Sequence, residues 1–133
     1  MSTIIARVKE IQTHENINII KFEIDSNTLT MMSLDISNEI KVGKKVRLLV
    51  NSSHIAVAKG FGGDISYSNQ IDAKIETLKQ GELLTHISLV FGESTLESII
   101  TKESSLSMKL SEGDNVTVLI KASELSICEI LDD

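Results

Sequence analysis

"IKVGKKVRLLVNSSHIAV", residues 40–57, and "LSEGDNVTVLIKASELSI", residues 110–127, fall one on the other when the chain is slid along itself by 70 residues. Gly43 meets Gly113 and Val46 meets Val116, each pair opening a run in which aliphatic and β-branched residues dominate. A second offset, 67 residues, sets "IIARVKEI" (4–11) on "IDAKIETL" (71–78) and brings Ile17, Ile20, Phe22 and Ile24 onto Leu84, Ile87, Leu89 and Phe91. Self-similarity at a fixed spacing is the mark of a repeated unit. The chain is therefore a tandem repeat, and the three-residue slip between the offsets, falling between about residues 25 and 40, makes the first repeat shorter there.

Both repeats read as strands. Apolar residues recur at every second position in "IIKFEI" and "ISLVF", the period that puts alternate side chains on one face of a sheet. "VG" and "EGD" are turn signals that start the runs "KKVRLLV" and "NVTVLI". A short helix is expected between Glu103 and Leu110, with a turn of one between Ile36 and Ile40. About five short strands in roughly 65 residues suggest a small closed barrel, since closure removes edges that so short a sheet cannot protect. The expected class is all-β: two tandem OB-fold-like barrels, each with a short helix, over residues 1–59 and 66–133, joined by a Gly-rich linker at 60–65. Those glycines are a linker and not a phosphate loop, which would need a Lys-Ser/Thr and a helix after it.

Composition narrows the function classes. With 133 residues in two units, each core is small, so the units must lean on each other. Three Phe, one Tyr and no Trp make that core aliphatic, and they leave too few stacking side chains for a single-strand nucleic-acid groove. The net charge of −6 argues against nucleic acid and anionic membrane alike. Cys128 is the only cysteine, so no internal disulfide is expected, and the start "MSTIIARVKE" lacks the apolar core of a signal peptide. A cytoplasmic protein without a membrane span is expected, because no apolar stretch approaches the length that crosses a bilayer. His14, His54 and His86 occupy unrelated repeat positions and show no ligand spacing with Cys128, which argues against a bound metal ion. No Ser, His and acid fall in places that suggest a triad, so catalysis is not expected.

What remains is a pair of donor clusters at the ends of "TKESSLSMKLSEGDNVTVLIKAS", residues 101–123: Thr101, Lys102 and Ser104 at one end, Lys121, Ala122 and Ser123 at the other. A tetrahedral dianion only accepts hydrogen bonds, so its site needs hydroxyls, backbone N–H groups and a cation, with carboxylates kept away. Each cluster also has a plainer reading. Thr101 and Ser104 can be a helix N-cap pair, and Lys121 a solvated charge at a strand end.

"SYSNQIDAKI" and then "ESIITKESSLSMKLSEGDNVTVLIKASELSI" resemble the Mop or TOBE module: S-A-R-N-Q-L-x-G-x-V, T-x-x-S, a leucine and G-D-x-V, and a strand ending I-K-A. The match runs through nearly the whole second repeat, and through the tail and apolar spacing of the first. The resemblance implies a tandem (di-Mop) protein with one oligonucleotide-binding-type barrel per repeat. It also implies assembly into rings, here a homo-oligomer that is a trimer of two-module chains. The implied ligand is molybdate or tungstate, bound in the cytoplasm between modules with no other cofactor, for storage, buffering or homeostasis. Molybdate transport or cofactor-synthesis proteins are the implied protein partners. By position, the resemblance makes Thr101 and Ser104 hydroxyl donors and Lys121 the charged partner beside the N–H of Ala122, and it places Ser66, Asn69 and Gln70 on the first motif. Ser68 stands where the family has arginine. In repeat 1, Asn51 replaces the lysine and Ser52 the alanine; Ser33 or Ser37 stands in for Thr101 or Ser104 according to register, with Arg7 as the nearby cation. The competing class is a ligand-sensing module acting on a separate transporter or regulator, since the chain has neither a P-loop nor a helix-turn-helix pattern.

Overall fold

A computed structural model describes residues 1–131. Repeat 1 supplies β1 (Ser2–His14), β2 (Ile17–Ile24), β3 (Asn27–Ser33), β4 (Lys45–Val50) and β5 (Ala56–Ala58). Repeat 2 supplies β6 (Asn69–Gln80), β7 (Leu84–Phe91), β8 (Ser94–Thr101), β9 (Asn115–Ile120) and β10 (Ser126–Leu131), with the α-helix α1 (Lys102–Ser107) after β8. Alternation decides the faces. Ile4, Ala6 and Val8 of β1 are buried while the residues between them are exposed, and Ile71, Ala73 and Ile75 of β6 repeat the pattern. The fold is all-β, in two curled five-stranded sheets.

The two sheets exchange their last strands. One runs β10-β4-β1-β2-β3 and the other β5-β9-β6-β7-β8. The last strand of each repeat thus leaves its own sheet and pairs antiparallel with the fourth strand of the other repeat. Val57 sits opposite Val118, and Ile127 opposite Leu48, the same register at the 70-residue offset. Ion pairs tie both exchanged ends down: Lys59 Nζ lies 3.1 Å from Asp114 Oδ2, and Arg47 Nε 3.0 Å from Glu129 Oε1. Lys59 also donates to the carbonyl of Lys109 at 2.9 Å.

The opposite edges, β3 and β8, are blocked by side chains. The carboxamide of Asn69 accepts from the Thr30 N–H at 2.6 Å and donates to the Thr30 carbonyl at 2.9 Å, as a neighbouring strand would. Ser2, one repeat earlier, does the same with one hydroxyl: it accepts from the Glu97 N–H at 2.8 Å and donates to the Glu97 carbonyl at 3.2 Å. Satisfying the backbone groups of an edge strand removes a template for aggregation. Between the sheets the buried aliphatics form one continuous cluster that includes Phe22, Leu48, Ile75 and Val118, so the two small units do share a core.

Two turns carry the repeat's signature. Gly43 and Gly113 have φ of +95° and +93°, where a side chain is strained. Their N–H groups donate to Val8 and Ile75, where β1 and β6 are bulged. The repeats differ after β3 and β8. Pairing along β3 keeps the 67-residue offset through Ser33, and β4 has the 70-residue offset from Lys45, so the slip lies in residues 34–44. Where repeat 2 builds α1, repeat 1 has a turn, closed by the Ile40 N–H on the Ser37 carbonyl at 3.1 Å. The helical element common to both repeats is a 3-10 turn after the fourth strand, Ser52–His54 and Ala122–Glu124.

Replacing Asn69 by alanine strands both backbone groups of Thr30, and should cost about 2 kcal/mol in urea unfolding. Ser2→Ala should cost about 1 kcal/mol. Asp114 gives a pH test. The Ser111 N–H at 2.9 Å and then the Lys59 ammonium hold its carboxyl below the ordinary aspartate value. A depressed folded value means the stabilisation is present above the unfolded value and is lost as pH falls through the folded one. The stability gap between the native chain and Asp114→Asn should therefore be open at about pH 7 and closed by about pH 2.

Candidate functional site

The two 3-10 turns are the points where the chain crosses from one sheet to the other. Ser52–His54 packs against β8, and Ala122–Glu124 packs against β3. At the first crossing, the buried Ser98 hydroxyl donates to the Ile55 carbonyl at 2.6 Å. The turns are equivalent in sequence but are capped differently. Asn51 Oδ1 accepts from the Ser53 N–H at 3.0 Å and from the Ser53 hydroxyl at 2.9 Å, so repeat 1 fills its own turn. Lys121 holds the same place in repeat 2 and gives its turn no side-chain hydrogen bond. The β5 exchange brings the first crossing beside Lys121. Here a cavity of about 320 Å³ is lined by Ser53, His54, Tyr67, Lys121 and Glu124 on its polar side, with Ile55, Ile99 and Ile100 among its apolar walls. Lys121 is exposed and has no ion-pair partner among the described residues. The one carboxylate in the lining is engaged, because Glu124 Oε2 lies 2.7 Å from His54 Nδ1.

The other cluster of repeat 2 sits at the end of β8. Thr101 caps α1: its hydroxyl accepts from the Ser104 N–H at 3.1 Å and donates to the Ser104 hydroxyl at 3.0 Å. Both residues are exposed. They do not line the Lys121 cavity, which reaches Ile100, the residue before Thr101. The Lys102 N–H donates to the Leu83 carbonyl at 2.9 Å. Of the first motif, Ser66 and Ser68 are exposed, while Gln70 Nε2 donates to the Tyr67 carbonyl at 3.0 Å and so steadies the loop that carries Tyr67 into the cavity. Asn69 is fully buried and holds the β3 edge, a structural part played by its whole carboxamide. Ala122 is half-buried and Ser123 exposed on the uncapped turn.

Residues 65–127 match the family model of the TOBE domain. That match spans most of the second repeat and just under half of the chain. The whole chain is similar in structure to the cytoplasmic molybdate-binding protein ModG, crystallised with molybdate bound, at a TM-score of 0.83 and 17% identity over 94% of this chain and 93% of that one. None of the curated proteins matches the chain in sequence.

In repeat 1, the candidate donors do not converge on one site. Ser33 and Ser37 line a cavity of about 520 Å³ between the 34–40 turn and β10, where Asp35, Glu39 and Glu129 are the charged lining residues. Ser33 donates to the Asp35 carbonyl at 2.8 Å, and the Ser37 hydroxyl accepts from the Glu39 N–H at 3.2 Å. With the 67-residue offset held to the end of β3, Ser33 takes the place of Ile100 and not of Thr101, and Ser37 lies within the slip. Asn51 caps its own turn, Ser52 is buried 3.5 Å from the Ser2 hydroxyl, and Arg7 Nη1 donates to the Gly43 carbonyl at 2.7 Å.

Ser53, His54, Tyr67 and Glu124 line the Lys121 cavity and were not among the sequence candidates. Tyr67 could have been found, since it lies inside "SYSNQ". Glu124 was close at hand too, three residues after Lys121, whereas Ser53 and His54 had no local signal: they come to Lys121 only because β5 crosses to the other sheet.

Proposed function

We propose that the protein binds molybdate or tungstate in the cytoplasm, for storage, buffering or homeostasis of the oxyanion, and that the TOBE repeat carries the site. One observation carries this reading: the turn after β9 is left uncapped beside an unpaired ammonium, while its counterpart in repeat 1 is closed by Asn51. A dianion placed there accepts from Lys121 and from the free end of the Ala122–Glu124 turn, in a cavity whose Tyr67 adds a hydroxyl. Likeness in fold to a molybdate-bound protein supports the choice of anion. Repeat 1 does not offer an equivalent site, since carboxylates surround Ser33 and Ser37 and repel a dianion.

The Thr101 and Ser104 hydroxyls belong to a second face. Leu83, Leu84 and Leu106 are exposed around them, at 80%, 47% and 55%, and an apolar rim beside polar donors suits contact with another copy of the chain. We assign this face to homo-oligomer formation, as a trimer, with those hydroxyls joining an anion at the contact.

Lys121→Ala should weaken molybdate binding by about 2 to 4 kcal/mol in isothermal titration with the fold intact. Lys121→Asn, which installs the residue of repeat 1, should abolish binding because the carboxamide then caps the turn. Molybdate affinity unchanged in both variants would refute the site. Sedimentation equilibrium should give a multiple of the 14.6 kDa chain; a monomer with and without molybdate would remove the proposed interface.

A further inference from the structure

The His54–Glu124 pair joins two residues that are the same position of the two repeats, since 54 and 124 differ by the 70-residue offset of the crossings. Equivalent positions that touch each other lie on the approximate two-fold axis relating the repeats. A perfect repeat would place two like residues there. This chain places an imidazole against a carboxylate at 2.7 Å, in the lining of the cavity that holds Lys121.

We infer that His54, contributed by repeat 1, sets the charge of the anion site of repeat 2 and makes oxyanion binding proton-coupled. This rests on the site assigned above to Lys121. The charged and titratable groups that line the cavity with His54 are Glu124 and Lys121 from the second crossing and Tyr67 from the loop before β6. Its own turn adds Ser53, β8 lends Ile99 and Ile100 to the lining, and the start of β5 lends Ala56; the carboxylate of β8, Glu97, lies 3.7 Å from His86. With neutral His54 the cavity holds Lys121⁺ and Glu124⁻, and their charges cancel. Nδ1–H still donates to the carboxylate, leaving Nε2 an acceptor that a dianion avoids. Protonation changes both features. The cavity gains one positive charge, Glu124 is neutralised by a full ion pair, and Nε2–H becomes a donor. A dianion therefore binds the protonated form better, and by linkage its binding draws a proton onto His54.

The same charge balance separates the roles of three residues. Lys121 is the anchor. Glu124 positions His54 and opposes the anion when His54 is neutral. His54 supplies the pH dependence. Its exposure, with 49% of the side chain accessible, lets protons exchange with solvent while the anion is bound.

Isothermal titration of the full chain with micromolar molybdate, and separately tungstate, at about pH 6.5 and about pH 8.5 tests this. The native protein should bind about tenfold more weakly at the higher pH, and its binding enthalpy at the lower pH should change with the ionisation enthalpy of the buffer, showing proton uptake. His54→Gln, which keeps a donor for Glu124 but cannot charge, should bind at both pH values with the weaker affinity of the native protein at high pH. Glu124→Gln should bind more tightly than native at high pH, because the opposing carboxylate is gone. An unchanged pH profile in His54→Gln, with binding still weakened in Lys121→Ala, would overturn the role of His54 alone. Native-like binding by Lys121→Ala would move the site elsewhere and overturn both, as would a native protein that binds neither anion.

Discussion

Each sheet of this protein is completed by a strand from the other repeat. β5 finishes the sheet of repeat 2 and β10 that of repeat 1, so neither repeat holds a whole sheet by itself. For units of some 65 residues this matters, because a core so small and so poor in aromatic rings gives little stability alone. Exchange joins the two cores into one aliphatic cluster and uses the polar ends of β1 and β6 to finish the edges. It also fixes where the chain must cross, at the turns Ser52–His54 and Ala122–Glu124. The candidate site lies at those crossings and is therefore a product of the exchange.

The symmetry is approximate, and its departures are where the two repeats part in chemistry. Asn51 against Lys121 separates a turn that satisfies itself from one that waits for an acceptor. Asn69 against Ser2 changes nothing of that kind, because a carboxamide and a hydroxyl can each serve both backbone groups of an edge residue. Three missing residues after β3 replace α1 by a turn, and the space beside it is bordered by Asp35, Glu39 and Glu129. An acidic chain can in this way gather carboxylates beside the 34–40 turn and still free an ammonium at Lys121. Net charge alone says nothing about where either group lies.

The sequence by itself determined the repeat, the strands and their faces. These depend on period-two alternation, on glycines that must take positive φ at 43 and 113, and on short-range turn chemistry, all of which are local. It also marked the short helix after Thr101 and offered both readings of the Thr101–Ser104 pair, of which the N-cap is present. Lys121 was legible as one end of a donor cluster because the motif around it is contiguous. Only the tertiary structure decided that the last strands change places, since any β-branched run pairs equally well with either fourth strand as far as its own residues can tell. With that exchange came the burial of Asn69 against Thr30 and the arrival of Ser53 and His54 beside Lys121 and Glu124. Contacts between residues some 40 to 70 positions apart carry no local periodicity; they are set by which surfaces the small sheets must cover.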